Sequence, residues 1–61
     1  MPFINIKMYE GRSKEQKKEI AKGITNVINK TINIPKEYIW IVFEDIPRNE
    51  MAIGGKFGDE D

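Results

Sequence analysis

Pro2 stands directly behind Met1 and offers a chemistry that the rest of this 61-residue chain lacks. Histidine and cysteine are both absent. The usual acid/base group near neutral pH, the commonest metal ligand and the thiol nucleophile are therefore missing. Carboxylates are present, but none falls in an obvious pair. Glu44 and Asp45 are adjacent in a strand-like run, and successive strand residues point to opposite faces, which prevents easy sharing of a proton. Pro2 is different. Loss of Met1, which processing permits before a small residue, turns its nitrogen from a tertiary amide into a secondary amine on a rigid ring. An α-amino group titrates at about 7.7–8.0, and a proline amine starts somewhat higher. Partial burial, or a cation such as Arg12 nearby, lowers it toward neutrality. A base poised near the working pH is what proton transfer requires. A proline in second place also occurs with no chemical role, so Pro2 gains weight only from the residues around it.

Arg12 closes the turn Glu10-Gly11-Arg12-Ser13 just ahead of a helix. The positive end of a helix dipole disfavours a cation there, and arginine is suited to bidentate carboxylate binding. The plain alternative is a solvent-exposed charge. Gly54-Gly55-Lys56-Phe57-Gly58 looks superficially like a phosphate loop. It lacks the required G-x-x-x-x-G-K-[ST] spacing and no helix follows it. Lys14, Lys17, Lys18, Lys22 and Lys30 read as a solvated helix face.

The elements that must position these groups follow from periodicity. Phe3 to Met8 alternates, with Ile4, Ile6 and Met8 on one side and Asn5 and Lys7 on the other, which predicts a half-buried strand. Phe3 interrupts the alternation and predicts partial cover on the second face. Tyr9 to Arg12 is a loop. Ser13 and Gln16 form a capping box, and the helix runs to about Ile32. Ile20, Ile24, Val27, Ile28 and Ile32 make its apolar stripe. Asn33 suits a left-handed cap and Pro35 blocks continuation. Gly23, inside the helix, is either a surface concession or a point of close approach by a second helix. Tyr38 to Phe43 (YIWIVF) predicts a strand that is apolar on both faces. Pro47-Arg48-Asn49 turns the chain, Met51 to Ile53 is a short apolar piece, Gly54-Gly55 is a bend, and Gly58 to Asp61 is a loose acidic tail.

The order is strand, helix, strand, short hairpin: an α/β (α+β) chain built on one β-α-β unit with parallel strands and a right-handed crossover. One helix covers one face of such a sheet. Ile39, Ile41 and Phe43 can meet it, which leaves Tyr38, Trp40 and Val42 uncovered. An uncovered apolar face marks an interface. A chain this short buries only about 60% of the surface that its unfolded form exposes, and without disulfides or metal ligands association is the remaining support. An obligate homo-oligomer is expected. Ten basic and ten acidic side chains cancel, which argues against nucleic acid as a partner. No apolar run approaches the roughly 20 residues of a membrane span. No basic start is followed by an apolar block. The expectation is a soluble, cytoplasmic protein.

Together these residues resemble the 4-oxalocrotonate tautomerases, the small members of the tautomerase superfamily. The resemblance covers nearly the whole chain, as one domain over residues 1–61. It rests on the proline after Met1, the strand, "EGRSKEQK" at Glu10 to Lys17, the helix length, Pro35 opening the second half, and "AIGG" at Ala52 to Gly55. It implies that Pro2 is the catalytic amine after loss of Met1. The amine moves a proton between enol and keto, or unsaturated, forms of a small 2-oxo or 2-hydroxy acid, with no metal or organic cofactor. It implies that Arg12 holds a substrate carboxylate in a neighbouring subunit's site, and that Trp40, Met51 and Ile53 contact substrate. It implies a hexamer, a trimer of dimers.

The sequence departs from the family at two of these positions. A second arginine, which polarises the substrate carbonyl, is replaced by Trp40, and the aromatic of the site wall by Met51. An indole N–H is a donor without charge; filling an interface is the alternative role for Trp40. Arg48 and Lys7 are candidate replacement cations. Loss of a charged donor can remove several kcal/mol of transition-state stabilisation. Two other readings stand beside tautomerisation: a non-catalytic oligomeric protein of the same fold, and a related reaction such as hydration or dehalogenation.

Overall fold

A computed structural model describes residues 1–60. Asp61, the end of the expected acidic tail, lies outside the described residues. Strand β1 is Phe3–Tyr9, helix α1 is Lys14–Ile32 and strand β2 is Trp40–Ile46; β3 (Ala52–Ile53) and β4 (Lys56–Phe57) form a small hairpin. Single 3₁₀ turns at Lys36–Tyr38 and Arg48–Glu50 join them. β1 and β2 pair in parallel, in a register that runs from Phe3 beside Trp40 to Tyr9 beside Ile46. The expected β-α-β unit and C-terminal hairpin are both present.

Local chemistry sets the limits of α1. Ser13 Oγ accepts from the Gln16 backbone N–H at 3.1 Å, and Gln16 Oε1 accepts from the Ser13 N–H at 2.9 Å. This is the reciprocal capping box, which satisfies two otherwise orphaned donors. At the other end Asn33 adopts φ 56 and ψ 52, the left-handed cap. The Asn29 side-chain amide donates to the Ile34 carbonyl and fixes the exit. Ile20, Ile24 and Ile28 are half-buried along the helix. Val27 and Ile32, expected in the same stripe, are 63% and 54% exposed. Two strands about 4.8 Å apart make a sheet narrower than the stripe, and these two side chains project beyond its cover. Gly23 also faces open space, with none of the described residues within 4 Å of where its Cβ would stand.

The strand expected at Tyr38 to Phe43 begins later and runs on to Ile46. Pro35 starts a turn in which the Tyr38 N–H donates to the Pro35 carbonyl and the Ile39 N–H to the Lys36 carbonyl. Tyr38 is thereby held out of the sheet. At the far end pairing continues because Tyr9 belongs to β1, and the Glu10 N–H donates to the Ile46 carbonyl at 3.0 Å. Asp45 shares the helix-facing side and takes a hydrogen bond from Lys17 Nζ at 2.8 Å. Lys17 is therefore tied to the sheet, not part of a free solvated face.

The other face of the sheet carries Phe3, Asn5, Lys7 and Tyr9 beside Trp40, Val42, Glu44 and Ile46. Phe3 and Trp40 pack edge to face, with ring centroids 6.1 Å apart. They remain 64% and 50% exposed, so the cover expected near Phe3 does not come from this chain. Ile39, at 8% exposure, is the only buried hydrophobic residue among those described. The radius of gyration is 14.7 Å, against roughly 10–11 Å for a compact chain of this length. The accessible surface is 4913 Å², against about 4,100 Å² for a compact monomer of this mass.

The hairpin turns through Gly54 and Gly55, both at positive φ (60 and 85), as a two-residue hairpin loop of the primed type requires. Its base docks on β1. A Cβ added to Gly58 would lie 2.6 Å from the Tyr9 hydroxyl and 3.0 Å from the Arg48 carbonyl. The segment expected as a loose tail is folded back over Gly58 to Glu60: the Gly58 N–H donates to the Met51 carbonyl, and the Glu60 carboxylate accepts from the Phe57 N–H at 2.8 Å. Gly58→Ala should therefore lift the hairpin and lower stability by about 1–3 kcal/mol. Thermal melting and amide exchange at Ala52 to Phe57 measure this. Adding Tyr9→Phe should recover part of the loss by removing the closest clashing atom.

Candidate active site

The parallel register divides the five candidate site residues into two groups. Pro2 and Trp40 lie at one end of the sheet, where the Trp40 N–H donates to the Pro2 carbonyl at 3.2 Å. Arg12 follows the other end of β1, and Met51 and Ile53 follow the same end of β2. β1 from Phe3 to Tyr9 spans roughly 20 Å at the usual rise per residue. One small organic acid cannot reach both groups within a single chain.

At the first end Pro2 is half-buried and Met1 is 78% exposed. Pro2 precedes the ladder, so its missing N–H removes no sheet hydrogen bond. Trp40 Nε1 donates to the Glu37 carbonyl at 3.3 Å. The indole donor considered for a ligand is thus already engaged within the chain, and the ring presents an apolar wall.

At the second end Gly11 takes φ 116, a conformation that lets the chain leave β1 and reach the Ser13 cap within two residues. Arg12 stands exposed between them. At the same end of the sheet a shallow cleft of about 320 Å³ is lined by Lys7, Met8, Tyr9, Ile46 and Met51. Met51 is one of the residues lining this cleft. Tyr9 and Ile46 were not singled out from the sequence; the parallel register is the signal that brings them together. Arg48 lies over the Tyr9 ring, with Cζ 4.4 Å from its centroid. A larger depression, about 620 Å³, runs along the surface of α1 among Glu15, Lys18, Glu19, Ala21 and Lys22. It is an open, charged helix surface, and no candidate site residue lines it. Among the described residues no helix is long and apolar enough to cross a membrane.

Comparison with known proteins decides the family. The profile of the family described as tautomerase enzyme matches residues 2–59. The chain belongs to the tautomerase family. A probable tautomerase of Bacillus cereus is 41% identical over 56 residues, which cover 92% of each chain. Among solved structures, a 4-oxalocrotonate tautomerase isozyme of Methylibium petroleiphilum is 32% identical and superposes with a TM-score of 0.86, covering 93% of this chain and 92% of that one. A heterohexameric 4-oxalocrotonate tautomerase of Chloroflexus aurantiacus is 28% identical with a TM-score of 0.90, covering 98% and 97%. The β-α-β unit and hairpin described above are thus the tautomerase fold.

Trp40 is the single tryptophan of this tautomerase-family chain and sits on the uncovered face. Its emission should be blue-shifted in concentrated protein and move to the red on dilution, in step with a falling sedimentation coefficient. A constant, solvent-exposed spectrum with a monomeric sedimentation coefficient at all concentrations is the contrary result.

Proposed function

We propose that this chain is a cofactor-independent tautomerase that acts as a homo-oligomer, with the Pro2 amine as general base after loss of Met1. The observation that carries this reading is the state of Pro2 in a tautomerase-family chain: half-buried at the head of β1, behind a Met1 that packs against little. Removing Met1 sacrifices almost no contact and frees the nitrogen. The amine takes a proton from a carbon beside the substrate carbonyl, and the C–H electron pair moves through the new C=C bond to the carbonyl oxygen. The ammonium then returns the proton to the oxygen or to another carbon, so the substrate is isomerised and the base regenerated. The same steps run backward for an enol substrate.

Arg12 binds the substrate carboxylate as a bidentate partner. Because Arg12 lies at the far end of β1 from Pro2, it serves the Pro2 of a neighbouring copy. Trp40, Met51 and Ile53 supply apolar walls. A closed assembly in which each copy gives its Arg12 end and receives another's supports this arrangement, and the hexamer, a trimer of dimers, is the form proposed. The substrate is a small 2-oxo or 2-hydroxy acid and the setting is the cytoplasm. Trp40, neutral and with its N–H engaged, is the observation that favours the second reading, a non-catalytic oligomer of the same fold.

Two experiments test the proposal. Pro2→Leu, whose bulky second residue retains Met1 and leaves only an amide nitrogen at position 2, should lose at least about 100-fold in kcat/KM on phenylenolpyruvate ketonisation, the scale of general-base catalysis. Intact mass should show Met1 absent from the active wild-type protein. Full activity in that variant, or retention of Met1 on active protein, rejects the amine base. Refolding Pro2→Leu and Arg12→Ala chains together should restore activity to roughly one quarter of the sites, since each site draws on two copies. No recovery in mixed oligomers would place both residues in the same copy's site.

A further inference from the structure

The proposed proton transfer drives negative charge onto a carbonyl oxygen while Arg12 is occupied by the carboxylate. A charged donor aimed at that oxygen contributes strongly to such a step, and Trp40 supplies none. The described cations near the cleft at the Arg12 end of the sheet are Lys7, which lines it, and Arg48, which lies over the ring of Tyr9, one of its walls.

These two cations differ in their surroundings. Lys7 lies beside Glu44 in the register, on the same outer face of the sheet, so an opposite charge already stands next to it. Arg48 lies outside the strands and faces no carboxylate across a ladder, and the one ion pair among the described residues, Lys17 with Asp45, includes neither cation. Its guanidinium lies 4.4 Å from the Tyr9 ring centroid. A ring contact engages the flat face of the group and leaves the fork of N–H donors at its edge free.

The position is also held from the backbone. Pro47, at φ −61, precedes the 3₁₀ turn that begins at Arg48, and the Glu50 N–H closes that turn on the Pro47 carbonyl at 2.9 Å. Gly58 packs against the Arg48 carbonyl and the Tyr9 hydroxyl together. Met51, three residues on, faces the same cleft. A cation with a fixed backbone, a ring beneath it and no acid partner beside an apolar cleft is preorganised for an external anion or oxyanion.

We infer that Arg48 supplies the second positive charge of the site, receiving the carbonyl oxygen of a 2-oxo acid whose carboxylate Arg12 holds. The inference rests on the tautomerase reading above and deepens it: the substrate presents a carboxylate and an adjacent carbonyl to two arginines from the same end of one chain. As the proton passes from carbon to the Pro2 amine, the electron pair that reaches the carbonyl oxygen is met by the Arg48 N–H groups. It is released when the proton returns.

Arg48→Gln, Arg48→Lys, Lys7→Gln and Pro2→Leu, assayed with phenylenolpyruvate, test this. Arg48→Gln should lower kcat/KM on the order of 100-fold, chiefly in kcat, because the charge it meets develops in the transition state. Arg48→Lys should retain the larger part of the activity, and the sedimentation coefficient and the pH profile set by the Pro2 amine should not change. A loss below threefold in Arg48→Gln while Pro2→Leu is inactive overturns the role of Arg48 and leaves the amine base intact. Activity retained in Pro2→Leu, which keeps Met1 and has no free amine at position 2, rejects the site itself. Equal losses in the Gln and Lys variants with a lower sedimentation coefficient make Arg48 a structural clamp on Tyr9, and a larger loss in Lys7→Gln transfers the role to Lys7.

Discussion

The single chain does not enclose a core. Ile39 alone among the described hydrophobic residues is buried, while Phe3, Val27, Trp40, Val42 and Ile53 remain widely exposed. One helix on a two-stranded sheet cannot do better. The sheet has two open edges and one bare face, and such a small sheet has little independent stability. The elongated extents of 44 × 23 × 13 Å express the same shortage: a layer one helix and one sheet thick, with a hairpin extending from one end. Apolar area left in water forgoes about 25 cal/mol per Å². The roughly 800 Å² by which the total surface exceeds that of a compact monomer is a little over half apolar by the usual surface composition, and that apolar share is a large term beside a stability of 5–15 kcal/mol. Association with further copies is the proposed way to recover it.

The same constraint governs the proposed chemistry. Parallel pairing puts the start of β1 beside the start of β2 and the end of β1 beside the end of β2. Pro2 and Trp40 fall at one end, Arg12, Arg48 and Met51 at the other, and no flexing of a short strand closes the gap. In the proposed assembly a second copy both covers Trp40 and brings an Arg12 end to a Pro2 end. On that proposal assembly and site formation are one event, so a substitution on the bare face reaches the chemistry without touching substrate.

Much of this was legible in the sequence because it depended on short-range rules. The Ser13–Gln16 capping box, the Asn33 cap and the Gly54-Gly55 turn are set by residues within a few positions of each other. The alternation of Ile4, Ile6 and Met8 fixed the inner face of β1. The errors arose where a distant partner decided. Tyr38 has strong strand propensity, yet the turn begun by Pro35 holds it out of the sheet. Lys17 reads as one more surface lysine until Asp45, twenty-eight positions away, comes across from β2. Gly58 to Glu60 reads as a loose tail because nothing local shows that Tyr9 lies beneath it. Tyr9 and Ile46 become neighbours of Met51 only once the register is known. Pro2 and Arg12 stood out by residue type and surrounding motif, but the distance between them is a property of the fold.

Trp40 shows how the two demands interact. On the bare face a large aromatic packs with Phe3 and offers area to a partner, and its N–H is satisfied by the Glu37 carbonyl. A guanidinium in that place would have to be desolvated whenever the face is covered, and burying an unpaired charge is far more costly than burying an indole. Arg48 meets the opposite condition. It sits at the hairpin base, over a ring that tolerates a cation, beside a cleft open to solvent. Charge at the hairpin and hydrophobicity on the sheet divide the two tasks between positions whose environments suit them. An indole at position 40 is thus compatible with a working oxyanion site, provided the positive charge is carried by the other end of a neighbouring chain.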